Sequence, residues 1–240
     1  MNNTIATIPL LNLLLAFIPV LVTLAILHNW SLKAGHASYA VLRMLVQLLL
    51  IGYFLTFIFE SHDAGIILII LLIMVLASSW IALGTVASMR IQLYKNALAA
   101  IVLGGGITLL LITQLVLELE PWYSPQTMIP IAGMIFANSM NSVSLAAERL
   151  SAEMDRKVSY LAARKIALQS SLIPVINSLF AVGLVSLPGM MTGQILSGVS
   201  PLIAARYQIM VMCMIFGSAG IATAIFLVLV KPHFTKTETA

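Results

Sequence analysis

The chain has 240 residues, of which 61% are hydrophobic and only 8% are charged. Soluble domains carry about 25% charged residues, so this composition indicates a polytopic membrane protein and excludes an ordinary soluble enzyme. The net charge of +4 comes from basic residues that flank apolar runs, so membrane topology explains it better than nucleic-acid binding. A single cysteine, Cys213, excludes an intramolecular disulfide and a multi-cysteine metal site.

Seven apolar runs approach the length of about 20 residues that a helix needs to cross a bilayer. They fall at 8–27, 39–59, 65–83, 97–117, 127–147, 170–189 and 207–230. The first run lacks the positively charged segment of a secretory signal and is interpreted as a retained helix. The sequence therefore predicts an all-α integral membrane protein, with about seven transmembrane helices in a single domain over residues 1–240.

The lysines and arginines predict the orientation of these helices. With the N-terminus outside, all of them except Arg206 lie at or near cytoplasmic connections, including Lys231 and Lys236 in the tail. Because cytoplasmic loops are enriched in Lys and Arg, the N-terminus is predicted outside and the C-terminus in the cytoplasm.

The longest predicted cytoplasmic connection, residues 148–169, is charged and favours a helix. Its basic residues alternate with apolar ones and are Arg149, Arg156, Lys157, Arg164 and Lys165. This pattern fits an amphipathic helix that contacts membrane lipid, or a docking helix for a soluble partner.

Two predicted spans carry more amide and hydroxyl groups than a lipid-facing surface tolerates. The fifth span contains Asn138 and Asn141, and the sixth contains Asn177 and Ser178. Their oxygens suit a partly hydrated cation in a transport path. The same groups also serve as hydrogen-bonding partners between helices, and the sequence leaves both interpretations open.

The stretch 185–207 interrupts the hydrophobic pattern with helix-breaking and polar residues. They are Pro188, Gly189, Thr192, Gln194, Gly193, Gly198 and Pro201. In hydrocarbon, a broken helix persists only where protein or a water-filled cavity satisfies its backbone, which favours a gate or a path for Thr192 and Gln194 to line. The alternative is an extracytoplasmic loop between two ordinary spans.

Other residue types support weaker interpretations. The methionines, among them Met190 and Met212, are interpreted as packing residues, because no His or Cys stands beside them at ligand spacing. No metal ligand is assigned. Gly104–Gly106 and the pair Gly217 and Gly220 are predicted to allow close approach of helices.

The sequence contains no GxxxxGK[ST] phosphate loop, no serine, histidine and carboxylate set, and no paired intramembrane carboxylates. The chain is therefore predicted to be a transport protein without enzymatic activity and without a cofactor of its own. ATP, if it drives transport, is hydrolysed by another chain.

Three segments carry a resemblance to a known family: IPIAGMIFANSMNSVSL at 129–145, SLIPVINSLFAVGLVSLPGMMTGQILSGVSPLIAARYQIMVM at 171–212, and LRMLVQLLLIGYFL at 42–55. They resemble the FetB (YbbM) family of ABC-type permeases. The resemblance implies a bacterial inner-membrane permease linked to iron export, paired with a separate ATP-binding subunit and expected to be a homodimer. Plant relatives of the family are linked to aluminium tolerance.

By this resemblance, the fifth span and the 188–201 break form an export path for iron or a related metal cation. Residues 148–169 would contact the ATPase, although the chain lacks the longer segment with an LGAT-type turn that family members carry there. Two alternatives remain: an ATP-independent channel or secondary carrier for a metal ion, and a non-transporting accessory protein.

Overall fold

The computed structural model describes residues 8–60 and 63–235. Lys236 of the predicted cytoplasmic tail lies outside the described residues. The chain divides into two compact units at residues 61 and 62, and each is described separately. Helices account for nearly all of the described residues, and one isolated β-bridge joins Val182 to Ser186. The predicted all-α class is confirmed.

The described part of the N-terminal unit, residues 8–60, contains three helices: α1 (Leu10–Leu15), α2 (Ile18–Asn29) and α3 (Ala34–Glu60). Pro19, which lacks a backbone N–H, stands in the first turn of α2 and separates α1 from α2. α2 packs against α3. None of the side chains described in these helices is buried.

Residues 63–235, the part of the C-terminal unit that the structure describes, contain seven α-helices, one 3-10 segment and one π-helical segment. They are α4 (Ala64–Ala82), a 3-10 segment (Leu83–Met89), α5 (Arg90–Leu110), a π-helical segment (Leu111–Val116), α6 (Pro125–Asp155), α7 (Tyr160–Ala181), α8 (Gly189–Leu196), α9 (Pro201–Leu229) and α10 (Lys231–Thr235). α9 lies at the centre and packs against α5, α6, α7 and α8. The core there is apolar, and Ile135 and Phe226 are fully buried.

Five helical runs among the described residues are long and apolar enough to cross a membrane: Leu10–Asn29, Ala34–Glu60, Ala64–Val116, Pro125–Asp155 and Pro201–Leu229. The third run has 53 residues and breaks at Val86, whose backbone leaves the helical region. At this break the chain reverses, and α4 packs against α5. α7 has 22 residues and is not among the five runs. The protein is therefore a polytopic helical membrane protein.

Residues 148–169 do not form a helix of their own. α6 continues to Asp155, Lys157 adopts a left-handed conformation with φ 63°, and α7 starts at Tyr160. The helix-favouring residues before Asp155 extend the preceding span, because nothing in them breaks an α-helix. The interpretation of this segment as a surface amphipathic helix is corrected to a helix-turn-helix.

The glycines of α5 show where two helices meet most closely. A Cβ added to Gly104 would lie 2.5 Å from the backbone nitrogen of Ala222 in α9, and one added to Gly105 would lie 3.1 Å from Phe136. Gly106, Gly217 and Gly220 have no atom within 4 Å of such a Cβ. Close approach was thus predicted correctly for two glycines and wrongly for three, because composition does not show which face of a helix is in contact.

Arg90 stabilises the turn between α4 and α5. Its Nε and Nη2 donate to the backbone carbonyl of Trp80 at 2.9 and 2.6 Å, and its guanidinium carbon lies 4.0 Å from the centre of the Trp80 ring. That carbonyl belongs to the last turn of α4, whose final carbonyls lack partners within the helix. Arg90 therefore caps α4 from the start of α5.

Replacing Arg90 with alanine is expected to lower the free energy of unfolding by about 2 kcal/mol, because two charge-assisted hydrogen bonds and one cation–π contact are lost. Arg90→Lys should recover part of the loss, since an ammonium retains the charge without the two-pronged geometry. The effect is measured by thermal unfolding in detergent, with the loss of monodisperse protein as the readout. An alanine variant as stable as the parent would show that Arg90 does not hold the turn.

Candidate functional site

A cavity of about 390 Å³ lies among α6, α7, α9 and the turn that leads into α8. Its polar lining consists of amide and hydroxyl side chains: Asn138, Asn141, Ser142, Ser171, Ser178, Ser186 and Gln208. None of these or of the other described residues that line it is charged. A water molecule occupies about 30 Å³ in the liquid, so the cavity has room for a small ion with several waters.

Three polar side chains of the cavity donate hydrogen bonds to their own helices. Asn138 Nδ2 donates to the carbonyl of Met134 at 2.8 Å, and the hydroxyls of Ser171 and Ser178 donate to carbonyls of α7 at 2.8 and 3.0 Å. A carbonyl only accepts, so these bonds occupy the two serine hydroxyl hydrogens and one of the two amide hydrogens of Asn138, and they leave the side-chain oxygen lone pairs available. At these positions the cavity presents hydrogen-bond acceptors.

Gln208 adds a further acceptor from α9. Its side chain is 5% exposed, and its Oε1 has no hydrogen-bond partner within the part of the chain that the structure describes. A buried polar atom without a partner costs about 1–3 kcal/mol, so it requires an explanation such as a ligand or water. Gln208 lines the polar cavity and also a neighbouring apolar cavity of about 350 Å³.

Three methionines, Met134, Met190 and Met212, also line the cavity. Their thioether sulfurs are weak, polarisable acceptors. No group of three or more His, Cys, Asp or Glu that could hold a metal ion occurs among the residues that the structure describes. The cavity is therefore an uncharged polar space that offers both acceptors and donors.

The structure brings together only some of the residues that the sequence suggested for a path. Asn138, Asn141 and Ser178 line the cavity, whereas Asn177 is exposed outside it. Thr192 and Gln194 lie on α8 and do not line it. The Thr192 hydroxyl donates to the carbonyl of Leu187 at 3.4 Å.

Gln194 belongs to a second, smaller cavity of about 260 Å³. It lies there with Met190 and Tyr207, and with residues at the start of α6. Its Oε1 is buried without a partner in the described structure. Met190 lines both this cavity and the larger one, so α8 separates two polar spaces.

The predicted break appears as two turns around the short helix α8. Pro188 caps the start of α8, and Pro201 occupies the first turn of α9. Gly198 has φ 92°, a conformation that glycine adopts without the strain of a side chain. Of the break residues, Pro188 and Gly189 line the larger cavity, and Gly193, Gly198 and Pro201 do not.

The basic residues of the predicted coupling segment occupy different environments. Arg149 forms an ion pair with Glu153 at 2.7 Å, and Arg156 lies 3.5 Å from the same carboxylate. Glu153 is 4% exposed, so these arginines compensate a buried charge within α6. Lys157 and Lys165 are exposed, and Arg164 is half-buried.

Sequence reasoning missed Ser171, Gln208 and Glu153. Ser171 and Ser178 are seven residues apart, which places them on one face of α7, and this spacing was available in the sequence. Gln208 follows an arginine and a tyrosine at the start of an apolar span. A polar residue at such a position is usually interpreted as lying at the membrane–water interface. Only the packing of α9 against α6 and α7 shows that it is buried.

The long apolar helices define a polytopic integral membrane protein, and its C-terminal unit contains an uncharged polar cavity. The model of the uncharacterised protein family UPF0014 matches residues 10–164 and 154–235, and the chain belongs to this family, which includes FetB. No solved structure matches it.

Three relatives illustrate the range of the family. The chain is 36% identical to the UPF0014 membrane protein slr1647 of Synechocystis over 212 residues, 79% of each chain. It is 34% identical to the probable iron export permease protein FetB of Escherichia coli over 230 residues, 89% of this chain and 87% of the relative. It is also 34% identical to the protein ALUMINUM SENSITIVE 3 of Arabidopsis thaliana over 228 residues, 89% of this chain and 82% of the relative.

Proposed function

We propose that the chain is the permease subunit of an ATP-binding cassette transporter that exports iron or a related metal cation. The observation that carries the proposal is the uncharged polar cavity of α6, α7 and α9, since such a space inside a helical membrane protein suits a substrate path. The printed name of the Escherichia coli relative, probable iron export permease, supports the choice of cargo.

The proposed topology has seven crossings, an outside N-terminus and a cytoplasmic C-terminus, in a bacterial inner membrane. Counting α4 and α5 separately and adding α7 supplies seven spans from the observed helices. The placement of Lys and Arg supports the orientation. This orientation puts the α6–α7 turn and Lys231 in the cytoplasm and Arg206 at the outer end of α9.

ATP binding is assigned to a separate ATP-binding cassette subunit, with two permease chains forming a homodimer in membrane lipid. The sequence has no phosphate loop. In this proposal residues 148–169 form the coupling segment of a single transmembrane domain, and the partner contacts the α6–α7 turn.

α6 supplies a mechanical connection between that turn and the cavity. Asn138 and Glu153 lie on the same continuous helix, about 22 Å apart along its axis at 1.5 Å per residue. Movement of the cytoplasmic end by the partner subunit would therefore displace the cavity wall and change the side to which the cavity opens. The ion pair of Arg149 with Glu153 holds the helix end together during this movement.

Purification of the tagged chain from its native membrane should recover an ATP-binding subunit and ATP hydrolysis. The double variant Lys157→Glu with Lys165→Glu is expected to reduce recovery of that subunit about tenfold, because two exposed cations at the docking surface become anions. Arg156 is left unchanged because its reversal would place a negative charge beside Glu153. Quantitative mass spectrometry of the purified complex measures the recovery.

Arg206→Glu is the matched control, because it reverses an exposed charge at the opposite end of the protein. Recovery should then equal that of the parent. Equal recovery with the lysine double variant would remove the docking surface from the proposal. Purification of the active transporter without any ATP-binding subunit would favour an ATP-independent channel or secondary carrier.

A further inference from the structure

The larger polar cavity, of about 390 Å³, and the smaller polar cavity, of about 260 Å³, follow one another along α6. The smaller cavity is lined on α6 from Gln126 to Ile131, and the larger one from Met134 to Leu145. The same order holds on α9, where Tyr207 lines the smaller cavity and later residues line the larger one. Ile131 and Met134 are about 4.5 Å apart along the helix axis, so less than one turn of α6 separates the two linings.

Met190 stands between the two cavities. Among the residues that the structure describes, it is the only one that lines both of them. It lies half-buried in the first turn of α8, a short helix that begins after Pro188 and is followed by Gly198 with φ 92°. Ile131 and Met134, which end the α6 linings on either side of the boundary, are also apolar. Two polar spaces are thus separated by an apolar boundary.

The side chain of Met190 suits a movable barrier. An apolar constriction between two polar spaces excludes water and thereby blocks hydrated solutes. Methionine is unbranched and has three rotatable bonds, so its side chain changes position more easily than that of a branched residue. A change of rotamer at Met190 would therefore open the boundary without moving the backbone of α8.

The smaller cavity lies at the end of the C-terminal unit that is opposite the α6–α7 turn. α6 runs from Pro125 to Asp155, so Gln126 and Asp155 are about 44 Å apart along its axis at 1.5 Å per residue. The larger cavity lies between these two ends. A solute that leaves the larger cavity away from the α6–α7 turn through the smaller cavity therefore passes Met190.

We infer that Met190 is the barrier between the larger cavity and the smaller one, that the smaller cavity is the last part of the substrate path, and that the volume of this side chain controls passage. The inference rests on the proposed function, to which it adds a route and the residue that closes it. The charge and identity of the cargo do not enter it.

Cysteine labelling in native membranes tests the barrier without a transport assay. Cys213→Ala removes the single cysteine of the chain. Thr127→Cys then places one thiol in the smaller cavity, and Asn138→Cys, in a separate chain, places one in the larger cavity. Both positions are half-buried on α6. The probe is the membrane-impermeant cation 2-(trimethylammonium)ethyl methanethiosulfonate, applied to right-side-out and to inside-out vesicles.

The side from which Thr127→Cys reacts defines the side to which the smaller cavity opens. From that side, Asn138→Cys should react at least about tenfold more slowly, because a barrier open about 10% of the time or less lowers the observed rate by that fraction. Adding Met190→Ala should raise the Asn138→Cys rate about tenfold, since it removes the closed state, and should leave the Thr127→Cys rate unchanged. Met190→Val should give an intermediate rate, and Met190→Leu, which conserves volume, a rate close to that with methionine.

Met191→Ala is the matched control. Met191 is the next residue of α8, but it lines the neighbouring apolar cavity and neither polar one, so labelling of Asn138→Cys should not change. Equal acceleration by Met191→Ala would overturn the role of Met190. The same conclusion would follow if Asn138→Cys reacted as fast as Thr127→Cys with Met190 in place, or if Met190→Ala and Met190→Val, shown to be folded by size-exclusion chromatography, left its rate unchanged.

The labelling requires neither metal nor ATP, so the barrier and the proposed function fail separately. Loss of the Met190 effect in a membrane that yields an ATP-binding subunit would remove the barrier and leave the permease proposal in place. A Met190 effect in a chain that recovers no ATP-binding subunit would support the barrier and contradict the ATP-binding cassette proposal alone.

Discussion

Gly104→Val is expected to prevent stable folding of the C-terminal unit. The added Cβ would lie 2.5 Å from the nitrogen and 2.7 Å from the Cα of Ala222, and backbone atoms within a helix cannot move aside as a flexible side chain does. Separating α5 from α9 opens the central contact of the unit, so we expect a loss of about 3 kcal/mol or more in the free energy of unfolding. Fluorescence-detected size-exclusion chromatography after heating measures the loss.

Gly106→Val is the matched control two residues along the same helix. A Cβ at Gly106 meets no atom within 4 Å. Gly106→Val therefore replaces a glycine of α5 with a β-branched residue, as Gly104→Val does, but without the collision. It should unfold near the parent temperature. Equal damage from both variants would mean that helix flexibility, not contact with Ala222, explains the glycine at position 104.

The double variant Asn138→Leu with Asn141→Leu is expected to lose metal export while the protein remains folded. Leucine has the same branched arrangement of heavy atoms as asparagine, but the double variant replaces two amide oxygens of the cavity with methyl groups that bind no cation. The expected transport is that of cells lacking the chain. Retention of radiolabelled iron, measured with equal amounts of protein in the membrane, tests this expectation.

Asn177→Leu supplies the comparison, because Asn177 is an exposed amide on α7 outside the cavity. Export by this variant should be unchanged. Export retained by the Asn138 and Asn141 double variant would show that these amides only hold helices together, and it would leave the cavity without its proposed role.

The membrane class and the positions of the helices were predictable because each depends on local hydrophobicity. The five candidate spans overlap predicted runs, and α8 falls within the predicted break. The surface helix was wrong because the charged residues before Asp155 continue an α-helix that already existed. Hydropathy marks where apolar sequence ends, which is not where a helix ends.

The composition of the cavity was only partly predictable. Asn138 and Asn141 attracted attention because amides are rare in membrane spans, whereas Gln208 lies near a span end, where amides are common. Asn177 and Ser178 are adjacent in sequence but differ in their relation to the cavity. Successive helical residues point about 100° apart, and only tertiary packing decides which one faces inward.

The length of α3 makes the protein sensitive to the thickness of its bilayer. Its 27 residues extend about 40 Å, compared with a hydrocarbon core of about 30 Å. A helix of this excess length tilts or carries its end into the headgroup region. The ring of Tyr53 contacts those of Phe54 and Phe57 near that end, and aromatic rings favour the interface. Lipid chain length is therefore expected to set the tilt of α3.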